Sequence, residues 1–148
     1  FTDSSNIVSF SYPNDWTLQE GFMWTIAIVQ SPLSSTEDNF SENISYISQD
    51  INVLWVESFD EYIEKNLEQV AQLLTEYEFL WREKITILES EWEKIQYNFT
   101  QWEYNLFTTQ YIIKDGSNAT TITVSRPQSD VDAYNDIFEK IIKSTKIL

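Results

Sequence analysis

The residues that most often do chemistry are missing from this chain. It has no His and no Cys among 148 residues. That excludes thiol nucleophiles, His-based triads and zinc sites of the usual kind. What remains is carboxylate: 24 Asp and Glu against 9 Lys and Arg, a net charge of -15. Two carboxylates can hydrolyse a glycoside when they flank the bond at a fixed separation. With this many acids, some pair meets the distance by chance, and no sequence feature selects one. A hard cation such as calcium needs several converging oxygens. The loop "STEDNFSEN" offers Glu37, Asp38 and Glu42 as candidate ligands for a divalent cation. It lacks the alternating Asp spacing and the glycine of a dedicated calcium loop. The plainer account is a solvated loop. No glycine-rich phosphate loop is present, and the charge repels nucleic acid and anionic lipid alike. No cofactor is implied.

The second chemical resource is aromatic. Six Trp, eight Tyr and nine Phe make up 16% of the chain. Exposed Trp and Tyr supply binding hot spots; buried ones fill a core. Trp55, Trp81, Trp92 and Trp102 are the candidate partner-binding residues. Trp92 ("ESEWEK") and Trp102 ("TQWEYN") are expected to be exposed because each sits among polar neighbours.

The elements that would position these residues can be read from periodicity. Ile7 to Tyr12 alternates as a strand. Pro13, Asn14 and Asp15 then make a turn of the kind that joins two antiparallel strands. Trp16 is expected to fold back over one end of the core. Trp24 to Val29 reads as a strand that stops at Ser31-Pro32. Ser34 to Glu42 reads as a surface loop, and Ile44 to Gln49 as a further strand. Ile51 to Val56 is ambiguous. Ser58 and Glu61 have capping-box spacing. Tyr62, Ile63, Leu67, Val70, Leu73 and Leu74 follow at helical intervals, which predicts a helix over about 59–75. Strand-like patterns run from Phe79 to Ser125, with Asp115-Gly116 as a hairpin signal. A second helix is predicted after Ser129 as cap, with Val131, Tyr134, Ile137, Phe138, Ile141 and Ile142 as its buried stripe. Ile147-Leu148 could add a last extended piece. Helices segregated from a run of antiparallel strands define an α+β fold. The length fits one domain over 1–148.

Five segments, in order, carry a resemblance: "FSYPNDW", "SPLSSTEDNFSENISYISQDI", "SFDEYIEKNLEQV", "TTQYIIKDGSNATTITVS" and "DAYNDIFEKIIKSTKI". The set resembles the PsbP-like family. That fold is shared by the PsbP subunit of photosystem II, the Ran-binding Mog proteins, and small bacterial or archaeal lipoproteins of the DcrB and PsbP-related type. The matching features are Tyr12, Pro13 and Trp16; Ser31 and Pro32; Glu42 and Asn43; Phe59 and Tyr62; and Phe138, Ile141, Ile142 and Ser144. Asp15 stands where the family often has Gly, and Tyr77 to Glu93 has no clear family pattern. The resemblance implies an α/β/α sandwich with a central antiparallel sheet. It implies no catalytic residues.

The expected function is a non-enzymatic, extracytoplasmic binding or assembly module. It would dock a basic or neutral protein partner through an aromatic-bearing acidic face. The sequence begins at Phe1, so an N-terminal anchor is expected to have been removed; a cytoplasmic adaptor of the Mog type is the alternative location. A small-ligand or cation-binding domain with a pocket between sheet and helix is the rival function, and a two-carboxylate hydrolase a third. The triplets at Asn43, Asn98 and Asn118 are glycosylation sequons that matter only on a eukaryotic secretory route.

Overall fold

The computed structural model describes residues 1–148. Its centre is a seven-stranded antiparallel sheet in the order β2-β3-β4-β8-β7-β6-β5. The strands are β2 (Thr17–Glu20), β3 (Ala27–Gln30), β4 (Asn43–Asp50), β5 (Thr75–Ile87), β6 (Ser90–Gln101), β7 (Tyr104–Asp115) and β8 (Asn118–Pro127). One helix lies on each side: α1 (Phe59–Leu73) and α2 (Asn135–Ser144). A two-stranded ribbon pairs β1 (Val8–Ser9) with β9 (Lys146–Ile147).

Strand alternation sends side chains to opposite faces, and each face builds its own core. Ile44, Tyr46, Ile122 and Val124 point toward α2 and meet Phe138, Ile141 and Ile142. Ile95, Tyr97, Ile112 and Ala119 point the other way, toward Tyr62 and Ile63 of α1. This is the α/β/α sandwich anticipated from the sequence.

Several local expectations hold. Ser58 caps α1, accepting from Glu61 N at 3.1 Å. The return arm of the box differs: Glu61 Oε2 accepts from Glu57 N at 2.6 Å, one residue before the cap. Trp16 is buried and closes one end of the α2-side core, edge-on to Tyr134 at 5.2 Å and to Phe138 at 5.3 Å.

Others do not. The Pro13 turn does not join paired strands. β1 pairs with β9, with Val8 opposite Ile147, while β2 sits at the edge of the large sheet. Phe10 explains the route, because it stacks on Tyr46 at 4.2 Å and carries the chain across the core end. The second long strand starts at Ala27, not Trp24. Ile51–Leu54 is a 3-10 turn, capped by the Asp50 side chain. β5 starts at Thr75, immediately after α1, rather than at Phe79. Ser129 does not cap the second helix. It lies in a 3-10 turn over Gln128–Asp130, and α2 begins only at Asn135, after Tyr134 in left-handed backbone (φ 55°). The intervening turn is held by Arg126 Nη1, which donates to Val131 O and to Asn135 Oδ1.

Candidate functional site

The register places particular loops together. Glu20 pairs with Ala27, Ala27 with Tyr46, and Asp50 with Asn118. The β2–β3 loop and the exit from β4 therefore share one end of the sheet. The β4 exit at Asp50 lies four residues, about 14 Å, further along the strand than Tyr46, which faces the start of β3.

The β2–β3 loop is tied by short backbone bonds. Gly21 N donates to Ile26 O at 3.0 Å, Thr25 N to Phe22 O at 3.0 Å, and Ile26 N to Tyr46 O at 2.7 Å. Gly21, Met23 and Trp24 all take positive φ, at 68°, 45° and 71°. With the backbone closed inward, Phe22, Met23 and Trp24 project outward, and Trp24 is 97% exposed. It borders a shallow depression lined by Asp3, Ser5, Ile7 and Ser48.

The exit from β4 is built similarly. Ile51 is buried, and its N–H reaches Ser117 O at 2.8 Å. Asp50 Oδ1 accepts from Asn52 N at 2.9 Å. The chain then turns outward, exposing Val53, Leu54 and Trp55 before Ser58 starts α1. Trp55 sits at φ 54°, ψ 43° and is 90% exposed. Left-handed backbone costs an ordinary residue about 1–2 kcal/mol. Two tryptophans hold it here with their rings in water. Exposed Glu20, Asp50 and Glu57 flank the six apolar side chains.

The anticipated tryptophans do not form one face. Trp55 belongs to the end just described. Trp102, 86% exposed, occupies the β6–β7 turn between paired Gln101 and Tyr104, at the opposite end of the sheet. Trp81 is half-exposed on β5, an edge strand, beside exposed Phe79 and Leu80. Trp92 corrects the expectation of exposure: it is 2% exposed in the α2-side core. Its polar neighbours misled because Glu93 points to the other face and is buried with Arg82 Nε at 3.0 Å.

The three acidic residues of the loop are held in different settings. No group of three or more carboxylates is placed to hold a metal ion. Asp38 instead shapes the loop, its carboxylate accepting from Ser34 N and Oγ and from Phe40 N. The Ser34 and Phe40 amides hold its pKa below the usual carboxylate range. Glu42 is buried and accepts from Ser31 Oγ at 2.9 Å, while Glu37 stays exposed.

Trp24, an aromatic beyond the family's core positions like the four candidates, is not selected with them because Trp24 to Val29 reads as a strand. One signal was available: Gly21 is one of only two glycines, and it precedes Phe22-Met23-Trp24 between two short strands. A turn reading would have put three large apolar residues in solvent.

Comparison with known proteins bears on the fold. A family model described as DcrB matches residues 15–144. No curated protein matches the sequence. Among solved structures, the chain is similar to PA94 of Pseudomonas aeruginosa, a protein of unknown function and putative regulator: TM-score 0.68, 12% identity, 93% of this chain and 95% of that one. It is similar to cyanobacterial PsbP (CyanoP) from Synechocystis: TM-score 0.64, 14% identity, 100% and 91% coverage. It is also similar to LpqN, involved in cell envelope biogenesis of Mycobacterium tuberculosis: TM-score 0.65, 9% identity, 95% and 82% coverage.

Proposed function

The chain belongs to the DcrB family, and from that premise we propose that it is a non-enzymatic binding module, working outside the cytoplasm, that docks a protein partner on the aromatic end of its sheet. One observation carries the reading: Trp24 and Trp55 are almost wholly exposed, share one sheet end, and hold left-handed backbone. Trp102 shares the exposure and the positive φ but stands alone, so it is the grouping of strained, exposed aromatics at one end that supports function there. Trp is the residue most enriched among binding hot spots, and a rim of charge around an apolar centre is the usual anatomy of an interface. The flanking Glu20, Asp50 and Glu57 favour a partner that is basic or neutral there. A cell-surface setting is supported by family membership and by the similarity to LpqN, which serves the cell envelope of its own organism. No helix is long and apolar enough to cross a membrane.

The test begins with a partner isolated by cross-linking from envelope extract and purified. Its affinity is then compared for the wild type, Trp24→Ala, Trp55→Ala and Trp102→Ala. Loss at positions 24 and 55 with none at 102 supports this end as the docking surface. Equal affinity for the first two variants and the wild type overturns it. Fractionation of cells expressing the full-length protein tests the location; recovery in the cytoplasm would contradict it.

A further inference from the structure

Two arginines show what a buried guanidinium ordinarily does in this chain and what one of them lacks. Arg82 reaches three carboxylates: Nε to Glu93 at 3.0 Å, Nη1 to Glu64 at 2.7 Å and Nη2 to Asp60 at 3.3 Å. Arg126 is more deeply buried, 6% exposed, yet none of the seven ion pairs includes it. Only its Nη1 is hydrogen-bonded, to Val131 O and Asn135 Oδ1; its Nε is buried without a partner. Its guanidinium carbon sits over the rings of Phe107 and Phe138, 5.8 and 5.2 Å from their centroids. Burial pushes its pKa down, against the opposing pull of Tyr111, Asp132, Asp130 and Glu42, none of them in a direct ion pair with it. Leaving a buried charge unpaired is among the costlier arrangements in a folded protein.

Arg126 does not face packed protein. It lines a cleft of about 200 Å³ between α2 and the sheet, with Lys94, Gln96, Thr109, Tyr111 and Asn135. Two acids, Asp132 and Glu139, also line it. They are engaged elsewhere, Asp132 by Asn135 Nδ2 at 3.3 Å and Glu139 by Lys143 at 3.0 Å.

We propose that this cleft binds a small monocarboxylate with an apolar or aromatic body, whose carboxylate supplies the counter-charge that Arg126 lacks. With Nη1 used by Val131 O and Asn135 Oδ1 and Nε buried, Nη2 is the donor left to reach a carboxylate oxygen in a charge-assisted bond. Lys94, loosely paired with Glu83 at 3.9 Å, adds a partly offset positive charge across the cleft. The walls given by Phe107, Tyr111 and Phe138 suit a ring or short chain. Asp132 and Glu139 oppose a dianion, which argues for a single carboxylate over phosphate. A cleft of about 200 Å³ admits a small molecule of benzoate size. This site is independent of the Trp24–Trp55 end, so either can fail alone.

The test is an amide-resolved NMR titration of the whole chain with benzoate, benzamide and inorganic phosphate at low salt. The expected result is saturable shifts at residues 94–96, 109–111, 126 and 131–135 with benzoate. Benzamide and phosphate are expected to bind at least about 10-fold more weakly. Arg126→Lys should abolish the benzoate shifts, and its amide spectrum reports whether it folds. Lys94→Gln leaves the Arg126 anchor intact and should weaken benzoate about 3- to 10-fold. The proposal is overturned if benzoate gives no saturable shift in this cleft, if benzamide binds as well, or if a folded Arg126→Lys binds benzoate like the wild type.

Discussion

The two ends of the sheet carry similar residues and treat them differently. At one end, Phe22, Met23, Trp24, Val53, Leu54 and Trp55 stand in solvent on two connections. At the other, the long β3–β4 loop folds onto itself. Asp38 gathers three hydrogen bonds, Phe40 packs on Tyr104 at 5.3 Å, and the Tyr104 hydroxyl donates to Asn39 O at 2.9 Å. Trp102 also has positive φ (54°) and is exposed there, but it stands as a lone tryptophan on a hairpin tip. Exposure of one tryptophan is therefore a weak sign in this molecule. Both ends bond their loops internally; what separates them is that one packs Phe40 on Tyr104, and the other presents its apolar side chains outward.

The contrast can be broken by substitution. Replacing Trp24 and Trp55 together by Ala should have the largest effect. Each hot-spot loss is worth about 2 kcal/mol or more, so partner affinity should fall by about two to three orders of magnitude; calorimetry or surface binding measures it. Next comes a stability effect of opposite sign. Trp55→Gly relieves left-handed backbone that only glycine adopts freely. It should raise unfolding free energy by about 1 kcal/mol and Tm by a few degrees while still destroying docking. Denaturant melts check this, and a destabilised Trp55→Gly would show that the ring is needed for the fold. Trp102→Ala should change partner affinity by less than about twofold; a large loss would merge the two ends into one surface. The smallest effect is at Asp38. Its pKa is lowered from 3.8 by hydrogen bonds that the ionised form accepts more strongly than the neutral one. Its contribution is fully present above that ordinary value and is lost as pH falls through the lowered one. Asp38→Asn should therefore lower Tm slightly at neutral pH and converge with the wild type as pH falls through the lowered value, flattening the acid side of a Tm-against-pH curve.

Elements set by local chemistry could be read in advance. Ser58 starting α1, the Asp115-Gly116 turn and the stripe of Phe138, Ile141 and Ile142 each depend on residues a few positions apart. The sandwich and the family resemblance followed from their order. Features set by distant partners were hidden. Val8 pairs with Ile147, and nothing near either residue announces it. The late start of α2 depends on Arg126, reaching in from β8. Trp92 shows the same limit on a smaller scale: neighbouring acids suggested water, yet alternation points it inward while Arg82 takes up Glu93 on the far face. Of the candidate site, Trp55 was legible and Trp24 was not, because Trp24-Thr25-Ile26 also reads as the start of a strand.

The ribbon of β1 and β9 has a mechanical consequence. Leu148 N donates to Ile7 O at 2.9 Å, and Phe10 N to Phe1 O at 3.0 Å. Both extremities of the chain are thus fastened by short antiparallel pairings, apart from the seven-stranded sheet. A force drawing the extremities apart opens these pairings in sequence, like a zipper, and does not shear the long strands. The first extension under load would release slack near Trp24, which borders Asp3, Ser5 and Ile7. The molecule is built to yield first beside its aromatic end, with the two cores still closed.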